Sequence, residues 1–229
     1  MFQTRCSSWN LPAPTGFRGL DPHLPVTRYE RHLPHWRQAG ATYFVTFRLG
    51  DSLPQGKLNE LEGCKREWER KYPVPWSEIV WRRFAEELGE QVDAWLDQGI
   101  GCCSLRIGSA RTQVTGAIHF FDGQRYEVDC YVVMPNHVHV IVRPFDEHPL
   151  ERILQSWKRY SAREINALLG QDGQFWQEES YDQIVRDEAH LFHCVQYIGT
   201  NPTRAGLSVD EFTRWIRPEW EHVGWRFEK

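Results

Sequence analysis

The sequence predicts an α+β fold, an antiparallel sheet of short strands covered by amphipathic helices. Three observations predict it. ATYFVTFRL at 41–49 alternates and is rich in aromatic and β-branched residues, as a half-buried strand requires. Two further strand-like runs, near 125–134 and 137–144, are joined by the tight Met134-Pro135-Asn136 connection. Between and after these runs lie long segments with apolar residues at helical spacing.

The elements follow in order. Residues 1–40 are rich in Pro, Arg, His and Gly with little periodicity, and read as an extended arm or loosely packed lead-in. After the first strand, GKLNELEGCKREWERK at 56–71 reads as a charged helix, ended by Pro73-Val74-Pro75. Ser77 resembles an N-cap for a helix over 78–97, with Ile79, Phe84, Leu88, Val92, Trp95 and Leu96 on its apolar side. Gly99 and Gly101 mark a turn, and a helix over 109–121 closes at Asp122-Gly123. The two strands follow, then a helix over 148–168 that stops at Gly170. A loop with Phe175 and Trp176 leads to a strand near 181–186 and a last helix over 187–200, ended by Asn201-Pro202. The Trp-rich stretch 205–229 fits no single element.

With 51–105 set aside as a helical insertion, the order is β-α-β-β-α-β and then a helix. That is the ferredoxin-like plan: an antiparallel sheet with helices on one face and the other face free for a ligand. The expected organisation is an arm at 1–40, one domain at 41–207 and a tail at 208–229.

Composition narrows the classes. The chain has 229 residues, 41% apolar and 25% charged, enough for a packed core. The net charge of -4 argues against a nonspecific nucleic-acid coat, but local basic clusters remain: Lys158, Arg159 and Arg163; Arg28, Arg31 and Arg37; Arg82 and Arg83. Eleven Trp exceed what a core of this size absorbs, and an exposed indole can stack on bases. No apolar run reaches about 20 residues, so no membrane span is expected. The N-terminus lacks a signal-peptide pattern, and a cytoplasmic protein is expected. Six Cys without CxxC or zinc spacing read as free thiols.

Two stretches carry chemistry. In Tyr131-Val132-Val133-Met134-Pro135-Asn136-His137-Val138-His139-Val140-Ile141-Val142, residues two apart on a strand share a face. His137 and His139 therefore point one way, half of a divalent-metal site, while Val138 and Val140 enter the core. On spacing alone, two surface histidines are an equally good account. In the helix Asp187–Ile198, Leu191, Cys194, Val195 and Ile198 form the core stripe, and His193, Tyr197 and Asn201 line a side at i, i+4 and i+8. By itself, a Tyr beside a core stripe is more often a packing residue.

Together these strings resemble the REP-associated tyrosine transposases, single-tyrosine HUH transposases of insertion sequences. The resemblance rests on VVMPNHVHVIV, then Ser156-Trp157-Lys158, then Phe175-Trp176-Gln177-Glu178-Glu179-Ser180-Tyr181-Asp182, then Tyr197-Ile198 with Asn201-Pro202 and Arg204-Ala205-Gly206-Leu207. HLPHW at 32–36 and DSLPQ at 51–55 also look like a subgroup of that family. The likeness is collinear over about 41–49 and 108–207, and the stretch after 210 does not match.

The resemblance implies that His137 and His139 bind Mg²⁺ or Mn²⁺ with Asn201 as a third ligand, and that Tyr197 is the nucleophile. It implies attack on single-stranded DNA beside a hairpin, a 5′-phosphotyrosine intermediate, and a monomer or homodimer. Lys158, Arg159 and Arg163 are candidate phosphate contacts, with a solvated helix face an equally good account, and His193 is a candidate helper of Tyr197, for which a solvated helix histidine is the better account. Gly199 departs from the bulkier residue of many relatives and weakens a helix by about 1 kcal/mol relative to Ala, which loosens the Tyr-to-Asn geometry or permits a swing of the tyrosine. Two other readings fit the residues: a catalytically inactive, domesticated module that grips structured DNA or RNA, and a small metal-dependent hydrolase in which Tyr197 is structural.

Overall fold

The computed structural model describes residues 11–30, 34–72, 76 and 78–228. In chain order the elements are strands β1 (Thr27–Glu30), β2 (Pro34–Arg37) and β3 (Tyr43–Arg48), helices α1 (Gln55–Lys71), α2 (Glu78–Leu96) and α3 (Gly108–His119), strands β4 (Tyr126–Val133) and β5 (His137–Pro144), helix α4 (Leu150–Leu169), strand β6 (Tyr181–Ile184), helix α5 (Glu188–Arg204), strand β7 (Thr213–Ile216) and helix α6 (Pro218–His222). The Pro73–Pro75 break, the Ser77 cap, Cys6, Arg31, the first residues of HLPHW and the side chain of Arg82 lie outside the described residues.

Strands β3 to β7 form one antiparallel sheet in the order β6-β3-β5-β4-β7. Its first four strands follow the expected split βαβ plan, with α3 and α4 as crossovers and α1–α2 inserted after β3. Strand alternation divides the sheet into two faces. Tyr43, Val45 and Phe47 of β3 with Val138, Val140 and Val142 of β5 pack against α3 and α4. Phe44 of β3 and Ile141 of β5 face the other way, toward Leu191, Val195 and Ile198 of α5. A bulge between Val128 and Cys130 resets the parity of β4. Both Val128 and Tyr131 thereby reach the α3–α4 layer, and Cys130 and Val132 the α5 layer.

Three expectations change. The second sheet face is not free: α5, α6 and residues from both ends of the chain cover most of it. Phe44, Cys130, Val132 and Ile141 would otherwise leave an apolar patch in water. The described residues of the lead-in are not loosely packed. β1 and β2 pair as a hairpin, His35 and Arg37 both bond Asp182 of β6, and Leu11 and Phe17 pack on the α5 layer. The residues after 207 extend the sheet through β7, and Trp220 and Trp225 are fully buried, donating to Thr15 O at 3.2 Å and Pro12 O at 2.8 Å.

Helix α5 also runs past Pro202 to Arg204. Asp187 caps its start, accepting from the His190 N–H at 2.7 Å. Near its other end proline removes only one late hydrogen bond. Gly206, at φ +68°, then closes the helix, with the Leu207 N–H donating to Pro202 O at 2.9 Å and the Gly206 N–H to Thr203 O at 3.1 Å. Asn201 therefore stays in helical register, one turn after Tyr197.

Candidate active site

His137 and His139 are fully buried on the α5 side of β5. Each has its second ring nitrogen held. Asn136 Nδ2 donates to Leu96 O at 3.2 Å and Ile100 O at 3.0 Å, so its Oδ1 is the acceptor facing His137 Nδ1 at 2.7 Å. The His137 proton therefore sits on Nδ1 and its Nε2 carries a lone pair. Thr46, directly opposite His139 across β3 and β5, places Oγ1 2.8 Å from His139 Nδ1. The two Nε2 atoms are 3.0 Å apart. Burial pulls His137 down to about 3, and burial with His137 and Arg204 nearby drives His139 well below the usual imidazole range. Both rings are neutral at pH 7.

Helix α5 brings Tyr197 over this pair. Its ring meets His139 edge-on at 5.1 Å between centroids, and Phe44 at 6.0 Å. The helical register that buries Leu191, Cys194, Val195 and Ile198 sets this direction. Asn201 is fully buried, and neither of its amide atoms makes a hydrogen bond of normal geometry, its polar neighbour being the Asp97 carboxylate. The Tyr197 hydroxyl is likewise buried and makes no hydrogen bond of normal geometry. Burial first, then Asp93 and Asp97, push its pKa far above the ordinary phenol value.

Those two carboxylates come from the insertion, which the sequence reading set aside. Asp93 and Asp97 stand one turn apart at the end of α2, with the Asp97 N–H donating to Asp93 O at 2.9 Å. Asp97 Oδ2 lies 3.6 Å from Arg204 Nη2, and the Arg204 guanidinium sits 5.3 Å from the centre of the Tyr197 ring. Burial raises the Asp97 carboxyl, opposed by Arg204 and Asn201. Thr46, Asn136, Asp93, Asp97 and Arg204 were all missed as site residues. Only the i, i+4 spacing of the two aspartates hinted at a shared face.

The remaining candidates are not gathered here. Lys158, Arg159 and Arg163 sit on α4, in the layer on the opposite side of the sheet. Lys158 donates to Gln177 O and Glu178 O at 3.0 Å, and Arg163 pairs with Glu164. His193 is exposed, and its ring contact is with Phe192 at 6.3 Å rather than with Tyr197.

Two imidazole nitrogens are borderline donors of the kind that first-row divalent ions accept. Two nitrogens on neighbouring corners of an octahedron with ligand distances of about 2.1 Å lie about 3.0 Å apart, which is the separation of the two Nε2 atoms. The Asn201 amide, one helical turn after Tyr197, is a buried neutral donor on the helix that meets His139. Among the described residues, no group of three His, Cys, Asp or Glu side chains is placed to hold a metal.

Fold and site together define an α+β protein in which a central strand presents two imidazoles and a long helix sets a phenol against one of them, with a buried amide one turn further along the helix. Residues 116–201, which contain all four, match the family described as transposase, IS200-like. The match spans less than half of the chain, and over that segment the protein is similar to a transposase. No curated protein matches. A solved structure described as a REP-associated tyrosine transposase bound to a REP hairpin is 17% identical, over 80% of this chain and 76% of that one, with a TM-score of 0.37. At that score it carries no weight for the site. No described helix is long and apolar enough to cross a membrane.

Proposed function

We propose that this chain is a metal-dependent, single-tyrosine DNA strand transferase acting on single-stranded DNA beside a hairpin. The observation that carries the proposal is the convergence of Tyr197 on His139, at 5.1 Å between rings, with Asn201 one helical turn further on. The family match over 116–201 supports the transposase class.

His137 and His139 through Nε2, and Asn201 through its carbonyl oxygen, would hold Mg²⁺ or Mn²⁺. When bound, such an ion polarises a phosphodiester and offsets charge developing on its oxygens. The protein does the rest. Asn136 and Thr46 fix the two rings, so that little reorganisation is needed on binding. Tyr197 must lose its phenolic proton before it attacks. Its oxygen then bonds to phosphorus, the bond to the 3′ oxygen breaks, and that oxygen leaves as a free 3′-OH after taking up a proton. The 5′-phosphotyrosine keeps the energy of the broken bond, and a second 3′-OH reverses the step on a new partner without ATP.

The test is a labelled hairpin oligonucleotide incubated with the protein, with and without Mn²⁺. A denaturant-resistant protein–DNA band is expected from the natural protein with Mn²⁺ and not from Tyr197→Phe. Hairpin binding with no such band would leave the inactive binding module, and turnover surviving in Tyr197→Phe would leave the hydrolase.

A further inference from the structure

A second feature adjoins the paired histidines. A cleft of about 370 Å³ separates the inserted helices from the sheet. Thr46 and Arg48 of β3 and Tyr181 line one wall, and Lys65 of α1 with Leu88 and Asp93 of α2 line the other. Gly89 fixes the approach of α2, since a Cβ there would fall 3.1 Å from the Tyr181 ring and hydroxyl. Two of the lining residues adjoin the site: Thr46 bonds His139, and Asp93 faces Tyr197.

Arg48 stands at the centre of this arrangement. In the β3–β5 ladder Thr46 is opposite His139 and Arg48 is opposite His137. Residues directly opposed on an antiparallel pair share a face, with Cβ atoms about 5 Å apart. The Thr46–His139 bond shows that this holds here. Arg48 therefore flanks His137 as Thr46 flanks His139. Its guanidinium is half-buried, yet its hydrogen bond is to a neutral group, the Ser52 hydroxyl at 3.2 Å. Among the described residues no carboxylate lies within ion-pair distance of it, and the nearest charge it feels is Glu179. A half-buried cation with no carboxylate in ion-pair range, in the wall of a cleft beside a metal-type site, is suited to receive an anion. The cleft lining also holds Lys65 and the carboxylates of Glu62, Asp93 and Glu179, and of its two cations Arg48 is the one opposite His137.

We propose that Arg48 binds a backbone phosphate of the single strand next to the bond that is cleaved, and that the cleft between β3 and the inserted helices carries that strand. This rests on the strand-transferase reading and adds to it a residue and a path. It also gives the insertion a role, as one wall of the channel.

The test uses the full chain carrying Tyr197→Phe, so that binding is read without covalent capture. The probe is a fluorescent hairpin oligodeoxynucleotide with a single-stranded extension, and a second probe lacks the extension. Arg48→Gln is expected to weaken binding of the extended probe roughly tenfold and to lower the slope of log affinity against log salt by about 0.7, one phosphate contact on a single strand. It should leave the bare hairpin unaffected. Equal affinity and slope in both proteins, or an equal loss on both probes, overturns the proposal. Should Arg48→Gln not fold, the natural protein answers the question: phenylglyoxal modification of Arg48, read by mass spectrometry, must be blocked by the extended probe and not by the bare hairpin. Absence of that protection overturns it as well. If the natural protein forms no covalent adduct and yet Arg48→Gln loses the slope, the strand-transferase reading falls and the cleft stands. If the adduct forms and Arg48→Gln binds in full, the reverse holds.

Discussion

A Cβ built on Gly199 would lie 2.7 Å from Cδ1 of Phe227, closer than any real side chain approaches. The glycine two residues after Tyr197 is thus a seat for the C-terminal end of the chain rather than a loose joint. Its carbonyl also accepts from Arg214 Nη1 at 2.7 Å. Sequence alone suggested that Gly199 slackens the helix between Tyr197 and Asn201. In the fold the docked aromatic ring and the Arg214 bond brace that turn instead.

Gly199→Ala is therefore expected to destabilise the protein. Overpacking costs about 1–3 kcal/mol, and the gain in helix propensity returns about 1 kcal/mol. In a Phe227→Gly background, which removes the ring and also the Cβ that lies 2.8 Å away, the sign should reverse, with Gly199→Ala stabilising by about 1 kcal/mol. Urea denaturation of the four proteins of this cycle checks it, and a destabilisation that survives in the Phe227→Gly background would show that Phe227 is not the obstacle.

Asn136→Ala should act at a distance through His137. It removes the acceptor for His137 Nδ1 and the donor to Leu96 O and Ile100 O. Buried groups left unpaired cost about 1–3 kcal/mol each. Loss of such an orienting partner lowers metal affinity by about 10–100-fold. Calorimetric titration with Mn²⁺ beside a thermal melt reads both effects. Unchanged Mn²⁺ affinity would mean that Asn136 does not orient the ring.

Tyr197→Phe and Asn201→Leu should separate stability from function. The Tyr197 hydroxyl and both Asn201 amide atoms are buried without a hydrogen bond of normal geometry. Their polar neighbours are the Asp93 and Asp97 carboxylates respectively, so little is gained or lost on removing them, and each variant should stay within about 1 kcal/mol of the natural stability. Tyr197→Phe should form no covalent DNA adduct, and Asn201→Leu should bind Mn²⁺ weakly. A clear drop in melting temperature in either variant would mean that these atoms hold the fold together.

Stability should fall in mild alkali. Burial disfavours the charged form of His35, but bonds to Asp182, at 2.6 Å, and to Glu179 outweigh it and lift the imidazole to about 9. A group raised in this way stabilises fully below its unfolded value near 6.5, and the contribution disappears as pH rises through about 9. The amount lost is about 3 kcal/mol as an upper estimate. Denaturation midpoints measured from pH 6 to pH 10 should decline in the natural protein and stay flatter in His35→Gln. Parallel curves would assign the decline to another group.

The strand and helix order was legible because short-range rules govern it. Alternation set β3, β4 and β5, helical spacing set α2, α4 and α5, and Gly170 closed α4 at φ +60° as a C-cap glycine does. The shared direction of His137 and His139 follows from a strand period of two, and the i+4 placement of Asn201 after Tyr197 from a helix period near four. These local periods suffice to name four side chains that could meet.

That Tyr197 meets the histidine pair was decided by tertiary structure. Nothing local says that α5 lies across the histidine face, that the two ends of the chain seal that face through Trp220, Trp225 and Phe17, or that α2 brings Asp93 and Asp97 to the phenol. Those contacts join residues far apart in sequence, and packing of apolar faces selects them. Arg48 shows the same division. Its identity is written in β3, but its place beside His137 exists only through the pairing of two strands separated in sequence by three helices and a strand.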